Sequence, residues 1–164
     1  MLREKNLIPL SHQHQRALAL CVRIARAQPI PDADLPSWQA EIEWLFENEI
    51  DVHFTAEEDV LFPAARRLSE LQLLLDELFA EHGWLRELFS QAKSRRMSAV
   101  EVRDFGQYLS AHIRKEERQL FEAMQRLMKT EELATLGVRL KEALQGASQS
   151  CILPNGATKL KATR

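Results

Sequence analysis

Apolar and polar residues alternate along this chain with the period of helices. Residues three, four and seven apart share one helix face, and four such stripes can be traced. The first reads Leu10, His14, Ala17, Cys21, Ile24 and the second Phe46, Ile50, His53, Glu57, Leu61, Ala64. The third reads Leu71, Leu75, Leu78, His82, Leu85, Phe89, and the fourth Val102, Phe105, Leu109, His112, Glu116, Leu120, Met124. Ser11 after Pro9 predicts an N-cap for a helix over about residues 11–28, stopped by Gln28-Pro29-Ile30-Pro31. Pro36 suits a first turn and predicts a second helix to about residue 63 or a turn beyond. Ser69 with Gln72, and Ser98 with Glu101, have capping-box spacing and predict helices over about 69–95 and 98–128. Thr130, followed by Glu131 and Glu132, opens a shorter fifth helix that ends at Gly146. No linker divides this body. The pattern therefore predicts an all-α, up-down-up-down four-helix bundle with a short extra C-terminal helix. Residues 1–146 form one domain, and residues 147–164, with Ser148, Ser150, Pro154, Asn155, Gly156 and a basic end, read as a flexible tail.

Composition narrows the function classes. With 164 residues, 45% hydrophobic and only 5 Gly and 6 Pro, the chain has enough apolar surface for a core and little of the turn chemistry an all-β domain needs. The 22 basic residues are balanced by 24 acidic ones, and the isoelectric point is near 6.2. That balance argues against nucleic acid and an anionic membrane surface as partners. No apolar run approaches the roughly 20 residues of a membrane span. Charges at Arg3, Glu4 and Lys5 stand where a signal peptide carries its apolar core, so a cytoplasmic location is expected. Two cysteines, Cys21 and Cys151, make neither a disulfide framework nor a Cys-rich zinc site.

The five histidines change the picture most. His14, His53, His82 and His112 fall one per helix on the inward stripes, and His53 and His112 each have a glutamate one turn later, Glu57 and Glu116. His12 lies about 200° around the helix from His14, so only one of the two points inward; His14 fits the stripe and His12 reads as exposed. An internal repeat reinforces the pattern: residues 53–62 read HFTAEEDVLF and residues 112–121 read HIRKEERQLF. Both fit His-x-x-x-Glu-Glu-x-x-Leu-Phe, and a lone histidine precedes each copy, so the chain has two similar halves.

A histidine and a glutamate at i and i+4 can ligate one ion from one helix face, and a carboxylate has a second oxygen with which to bridge to another. Four imidazoles with two carboxylates suit borderline metals, iron above all, better than calcium or magnesium. Burying Glu57 and Glu116 without a cation would cost several kcal/mol each or force protonation. The ferritin-like alternative needs Glu-x-x-His pairs. The residues three before His53, His82 and His112 are Ile50, Phe79 and Leu109, so that motif is absent. Around these residues, Glu58 and Glu117 fall off the inner face and read as surface charges. Glu49 reads as a solvated carboxylate, with support of His53 as its alternative role. Cys21 reads as a small core residue, and Trp84 most simply as a packing residue, close enough to His82 to shield the site.

Leu10-Ser11-x-x-His14, His53-Phe54-x-x-Glu57-Glu58-x-x-Leu61-Phe62-Pro63, Glu81-His82-x-x-Leu85-Arg86 and His112-x-x-x-Glu116-Glu117-x-x-Leu120-Phe121 together resemble the hemerythrin-like, or HHE cation-binding, domain over about residues 7–128. The resemblance implies an up-down four-helix bundle around two non-haem irons joined by carboxylates and an oxo or hydroxo bridge. It places His14 and His53 on one iron and His82 and His112 on the other, with Glu57 and Glu116 bridging. Oxygen-carrying members have a second histidine one turn along the third helix, and here that place is Arg86. Two histidines per iron resemble the iron-sensing members and weaken the case for reversible oxygen carriage. The expected function is binding or sensing of O2, NO, peroxide or redox state, or iron, by a protein that is a metal binder rather than an enzyme. The alternatives are a di-iron peroxidase or oxidase and a metal-free helical interaction module. The expected partner is a small diatomic or peroxide ligand, and the expected state a monomer or homodimer.

Overall fold

In a computed structural model, which describes residues 3–146, the described chain is helical and contains no strand. The first helix, α1, spans Ile8–Arg26. The second, α2, runs without a break over residues 35–65, and π turns at Phe46–Ile50 and Glu57–Leu61 interrupt its α-helical course. The third, α3, is Gln72–Lys93. The fourth, α4, covers residues 99–127 with one π turn at Glu116–Leu120. The fifth, α5, is Thr130–Ala143. The tail proposed for residues 147–164, with Cys151, lies outside the described residues.

Some helix-start signals hold and others move. Ser98 accepts from the Glu101 backbone N–H, and the Glu101 carboxylate accepts from that of Ser98, so this capping box forms. Ser11 caps nothing: α1 begins three residues earlier, because Pro9 needs no backbone partner in a first turn. Ser69 and Gln72 form no capping box either; Ser69–Leu71 is a 3-10 turn ahead of α3. At α5 the Glu132 carboxylate accepts from the Lys129 N–H at 3.0 Å.

Cross-helix pairs show that sequence neighbours run antiparallel. Gln13, Arg16 and Arg23 of α1 meet His53, Glu49 and Glu41 of α2. Glu47 and Glu58 of α2 meet Lys93 and Arg86 of α3, and Glu77 and Glu81 of α3 meet Lys115 and His112 of α4. Helix α4 returns along α1, where Gly106 lets the backbones approach; a Cβ there would lie 3.2 Å from Ile24.

The four helices bury two apolar clusters with a polar layer between them. One cluster gathers Ala17 and Ile24 of α1, Trp38 and Phe54 of α2, Phe89 of α3 and Phe105 of α4. The other gathers Leu10, Leu61, Leu75 and Met124, and α5 closes it with Leu133, Leu136 and Leu140. Each histidine stripe crosses from one cluster to the other. Among the described residues, no helix is long and apolar enough to cross a membrane.

Candidate metal centre

The polar layer holds His14, His53, Glu57, His82, His112 and Glu116, each no more than 3% exposed. On α1 and α3 a lone histidine replaces the apolar residue the stripe would otherwise carry. On α2 and α4 the i, i+4 spacing sets the glutamate directly over its histidine, with Nε2–Oε1 separations of 3.2 Å for His53–Glu57 and 3.3 Å for His112–Glu116. A π turn begins at each of these glutamates. The added residue rotates the downstream part of the helix by about 100° relative to a continued α-helix. Phe62, nine residues after His53, would otherwise face away, and it is instead buried, as is Phe121 in the second copy. For the same reason Ala65, not Ala64, ends the inner face of α2.

The carboxylates stand between two histidine pairs. Glu57 Oε1 lies 3.2 Å from His53 Nε2 and 4.0 Å from His14 Nε2, while its Oε2 lies 3.4 Å from His82 Nε2. Glu116 reverses the arrangement, with Oε2 3.2 Å from His14 Nε2 and Oε1 at 3.6 Å from His82 and 3.3 Å from His112. Each glutamate thus turns one oxygen to each pair. These are ion-pair separations without hydrogen-bond geometry: all four oxygens, with His82 Nε2 and His112 Nε2, have no hydrogen-bond partner. Six buried polar atoms converging without partners are costly unless a cation joins them. The donor atoms form two groups within 4.8 Å, one from His14, His53, Glu57 and Glu116 and one from His82, His112 and Glu116. Imidazole nitrogens shared with carboxylate oxygens fit a borderline divalent or trivalent metal such as iron.

The outward nitrogen of every ring is also held. His14 Nδ1–H donates to Glu117 (2.7 Å), His82 Nδ1–H to Glu58 (2.8 Å), His112 Nδ1–H to Glu81 (2.8 Å) and His53 Nδ1–H to Gln13 Oε1 (2.9 Å). These bonds fix the tautomer that leaves Nε2 facing the centre. The three outer carboxylates are themselves anchored, Glu117 by Arg3, Glu58 by Arg86 and Glu81 by Lys115. Aromatic rings close the layer. Phe54 stacks on His82 with centroids 3.8 Å apart, Phe62 lies on the same ring at 5.4 Å, and Phe121 stacks on His14 at 5.6 Å.

In the metal-free chain, protons supply the positive charge. Burial opposes protonation of His14, but Glu116 and Glu117 outweigh it and raise the ring from 6.5 to about 9. His82 is likewise desolvated yet raised to about 11 by Glu116, Glu57 and Glu58, and His112 is raised by Glu116 and Glu81. Burial pushes the carboxylates the other way. The surrounding imidazoles prevail, holding Glu57 below its ordinary range and Glu116 well below it. Glu58, despite partial desolvation, is drawn down to about 2 by His82 and Arg86.

The structure brings all six residues of the predicted ligand set into this one chamber and leaves His12 exposed. The expectations for Glu58 and Glu117, for Glu49 and for shielding by Trp84 change. Glu58 and Glu117 are not free surface charges: they leave the inner face, but that direction carries them against the outward nitrogens of His82 and His14 on the neighbouring helices. Glu49 pairs with Arg16, neither solvated nor supporting His53. Trp84 shields nothing, because it lies two residues from His82 on the opposite side of α3, half-exposed against Tyr108. Arg86 turns from the chamber, binding Glu58 while its guanidinium lies 5.3 Å over the Phe54 ring. Cys21 is a buried thiol that desolvation pushes up to about 12. Sequence reasoning missed Gln13, Glu81 and the stacking phenylalanines. The repeat held a signal for them: Gln13 and Glu81 each directly precede the lone histidine of a half, and the shared Leu-Phe ends both copies.

A family model described as the Hemerythrin HHE cation binding domain matches residues 9–148. Neither the curated proteins nor the solved structures contain a match to the chain.

Proposed function

The chain belongs to the hemerythrin HHE cation-binding family, and on that premise we propose that the buried chamber holds two non-haem irons and binds or senses a small ligand there. His14 and His53 would hold one ion, His82 and His112 the other, and Glu57 and Glu116 would bridge. The observation that carries this reading is the disposition of the two glutamates, each with one oxygen toward each histidine pair and neither oxygen hydrogen-bonded. Iron would supply a reversible redox change and positions open to a diatomic such as O2 or NO, or to peroxide. The chain's own part is to orient the rings through their outward hydrogen bonds, to keep bulk water out with Phe54, Phe62 and Phe121, and to restrict entry to small ligands. No third histidine joins the His82/His112 pair from one turn further along α3, since Arg86 occupies that place and binds Glu58. That symmetry favours sensing over reversible oxygen carriage. The test is metal analysis of protein from an iron-replete host, with Mössbauer spectra recorded before and after exposure to air and to nitric oxide. Two coupled irons per chain whose spectrum responds to either gas are expected. Protein with no metal, or with a single zinc, would refute the reading.

A further inference from the structure

The two histidine pairs differ in what stands behind them. His82 and His112 both donate outward to carboxylates, those of Glu58 and Glu81. On the other side His14 donates to the Glu117 carboxylate, but His53 donates to the neutral amide oxygen of Gln13. Gln13 and Glu81 occupy matching places in the two halves, each directly before the lone histidine, so one substitution breaks the symmetry of the repeat. A carboxylate behind an imidazole strengthens it as a metal donor, and removing such a partner typically costs about 10–100-fold in metal affinity. The cations on the outer side of the three carboxylates, Arg3, Arg86 and Lys115, hold them ionised and in place.

A second, independent difference acts in the same direction. His14 Nε2 and His53 Nε2 lie 2.9 Å apart and share a hydrogen bond, whereas His82 Nε2 and His112 Nε2 have no hydrogen-bond partner. A cation entering between His14 and His53 must replace that bond, and one entering between His82 and His112 replaces none. Two features oppose both: His82 holds its proton more firmly than His14 does, and the two carboxylates are shared unevenly. Glu57 and Glu116 both lie in the donor group of His14 and His53, while Glu116 alone lies in that of His82 and His112. Glu57 Oε2 nonetheless stands 3.4 Å from His82 Nε2, so that carboxylate also reaches the second pair, whereas the groups behind His53 and His112 differ outright. The outer carboxylates that hold the protons also strengthen the same rings toward a metal, so the outer partners weigh most in the order of filling.

We propose that the two metal positions are unequal, that the His82/His112 position fills first, and that Gln13 is the positioning residue that weakens its counterpart. This rests on the reading of the chamber as a two-metal centre. Two cations sharing two carboxylates repel each other, so a weaker second step would arise even from equal positions. The order of filling and its response to Gln13 are the discriminating quantities.

The probe is cadmium-113 added to metal-free protein carrying nitrogen-15 histidine, because its resonance and its couplings to ligating nitrogens resolve the two positions. At one equivalent, one dominant resonance coupled to His82 and His112 is expected, with the second appearing only as more metal is added. Gln13→Glu should narrow the ratio of the two occupancies about tenfold or more by strengthening the weaker position. Glu81→Gln should narrow it from the other side by weakening the stronger. Both variants are near-isosteric with the residues they replace, and either alone suffices to read the ratio. Equal occupancies in the unaltered protein, a dominant resonance coupled to His14 and His53, or a ratio unmoved by Gln13→Glu would each overturn the proposal while leaving the two-metal centre intact. No histidine-coupled cadmium at all would instead remove the metal centre, and this inference with it.

Discussion

Raising the pH should destabilise the metal-free protein and leave the metal-loaded one almost unaffected. Folded, His14 titrates at about 9 and His82 at about 11, while an unfolded histidine titrates near 6.5. Above pH 6.5 the unfolded chain releases protons that the folded chain keeps, so folding stability falls with rising pH. The slope is about 1.4 kcal/mol per pH unit for each proton retained. These two histidines alone give a loss of about 4 kcal/mol between pH 6.5 and about 8.5, and His112, also raised, adds to it. Set against the roughly 5–15 kcal/mol of a typical domain, that is a large fraction. The carboxylates do not blur the result: those with shifted values are held low, so they stay ionised in both states throughout this window. Cys21, raised from 9.0 to about 12, adds a further loss only above the window. The measurement is urea unfolding of the chelator-treated protein at three or four pH values, with Glu117→Gln as a companion that removes one of the partners holding the His14 proton. A flat or rising stability in the metal-free protein would refute the reasoning, as would an unchanged slope in Glu117→Gln. With metal bound the cations replace these protons and the slope should vanish.

The packing around the chamber gives three further expected outcomes. Phe54→Ala removes a ring stacked 3.8 Å from His82 and buried in the same apolar cluster as Trp38 and Phe89, and should cost about 3–5 kcal/mol, read as a lowered midpoint in calorimetry. Ser98→Ala breaks the capping box of α4 far from the chamber; a loss of about 1 kcal/mol with unchanged metal stoichiometry is expected by urea unfolding and metal analysis. Trp84→Ala, at a half-exposed position against Tyr108, should leave metal content and stability nearly unchanged, in contrast to what its closeness to His82 in sequence suggests.

Helical period carried most of the fold and the chamber's inner residues on its own. A histidine at each of four inward stripe positions, with Glu57 and Glu116 at i+4, can only point into the middle of whatever those helices enclose, so their convergence follows from covalent spacing. Spacing along one helix says nothing of what approaches from the next. Glu58 and Glu117 leave the inner face as a 3.6-residue period requires, and only the antiparallel packing of neighbouring helices sets them against His82 and His14. The π turns lie beyond periodicity too: they re-phase α2 and α4 so that Phe62 and Phe121 turn inward, over the rings of the opposite half. Arg86 is the clearest case, since its place on α3 is one turn past His82, yet its guanidinium bonds outward to Glu58 on α2. Each helix can be read from its own residues because its geometry is local. The layer of partners around the chamber is made between helices, and so it exists only once they are packed.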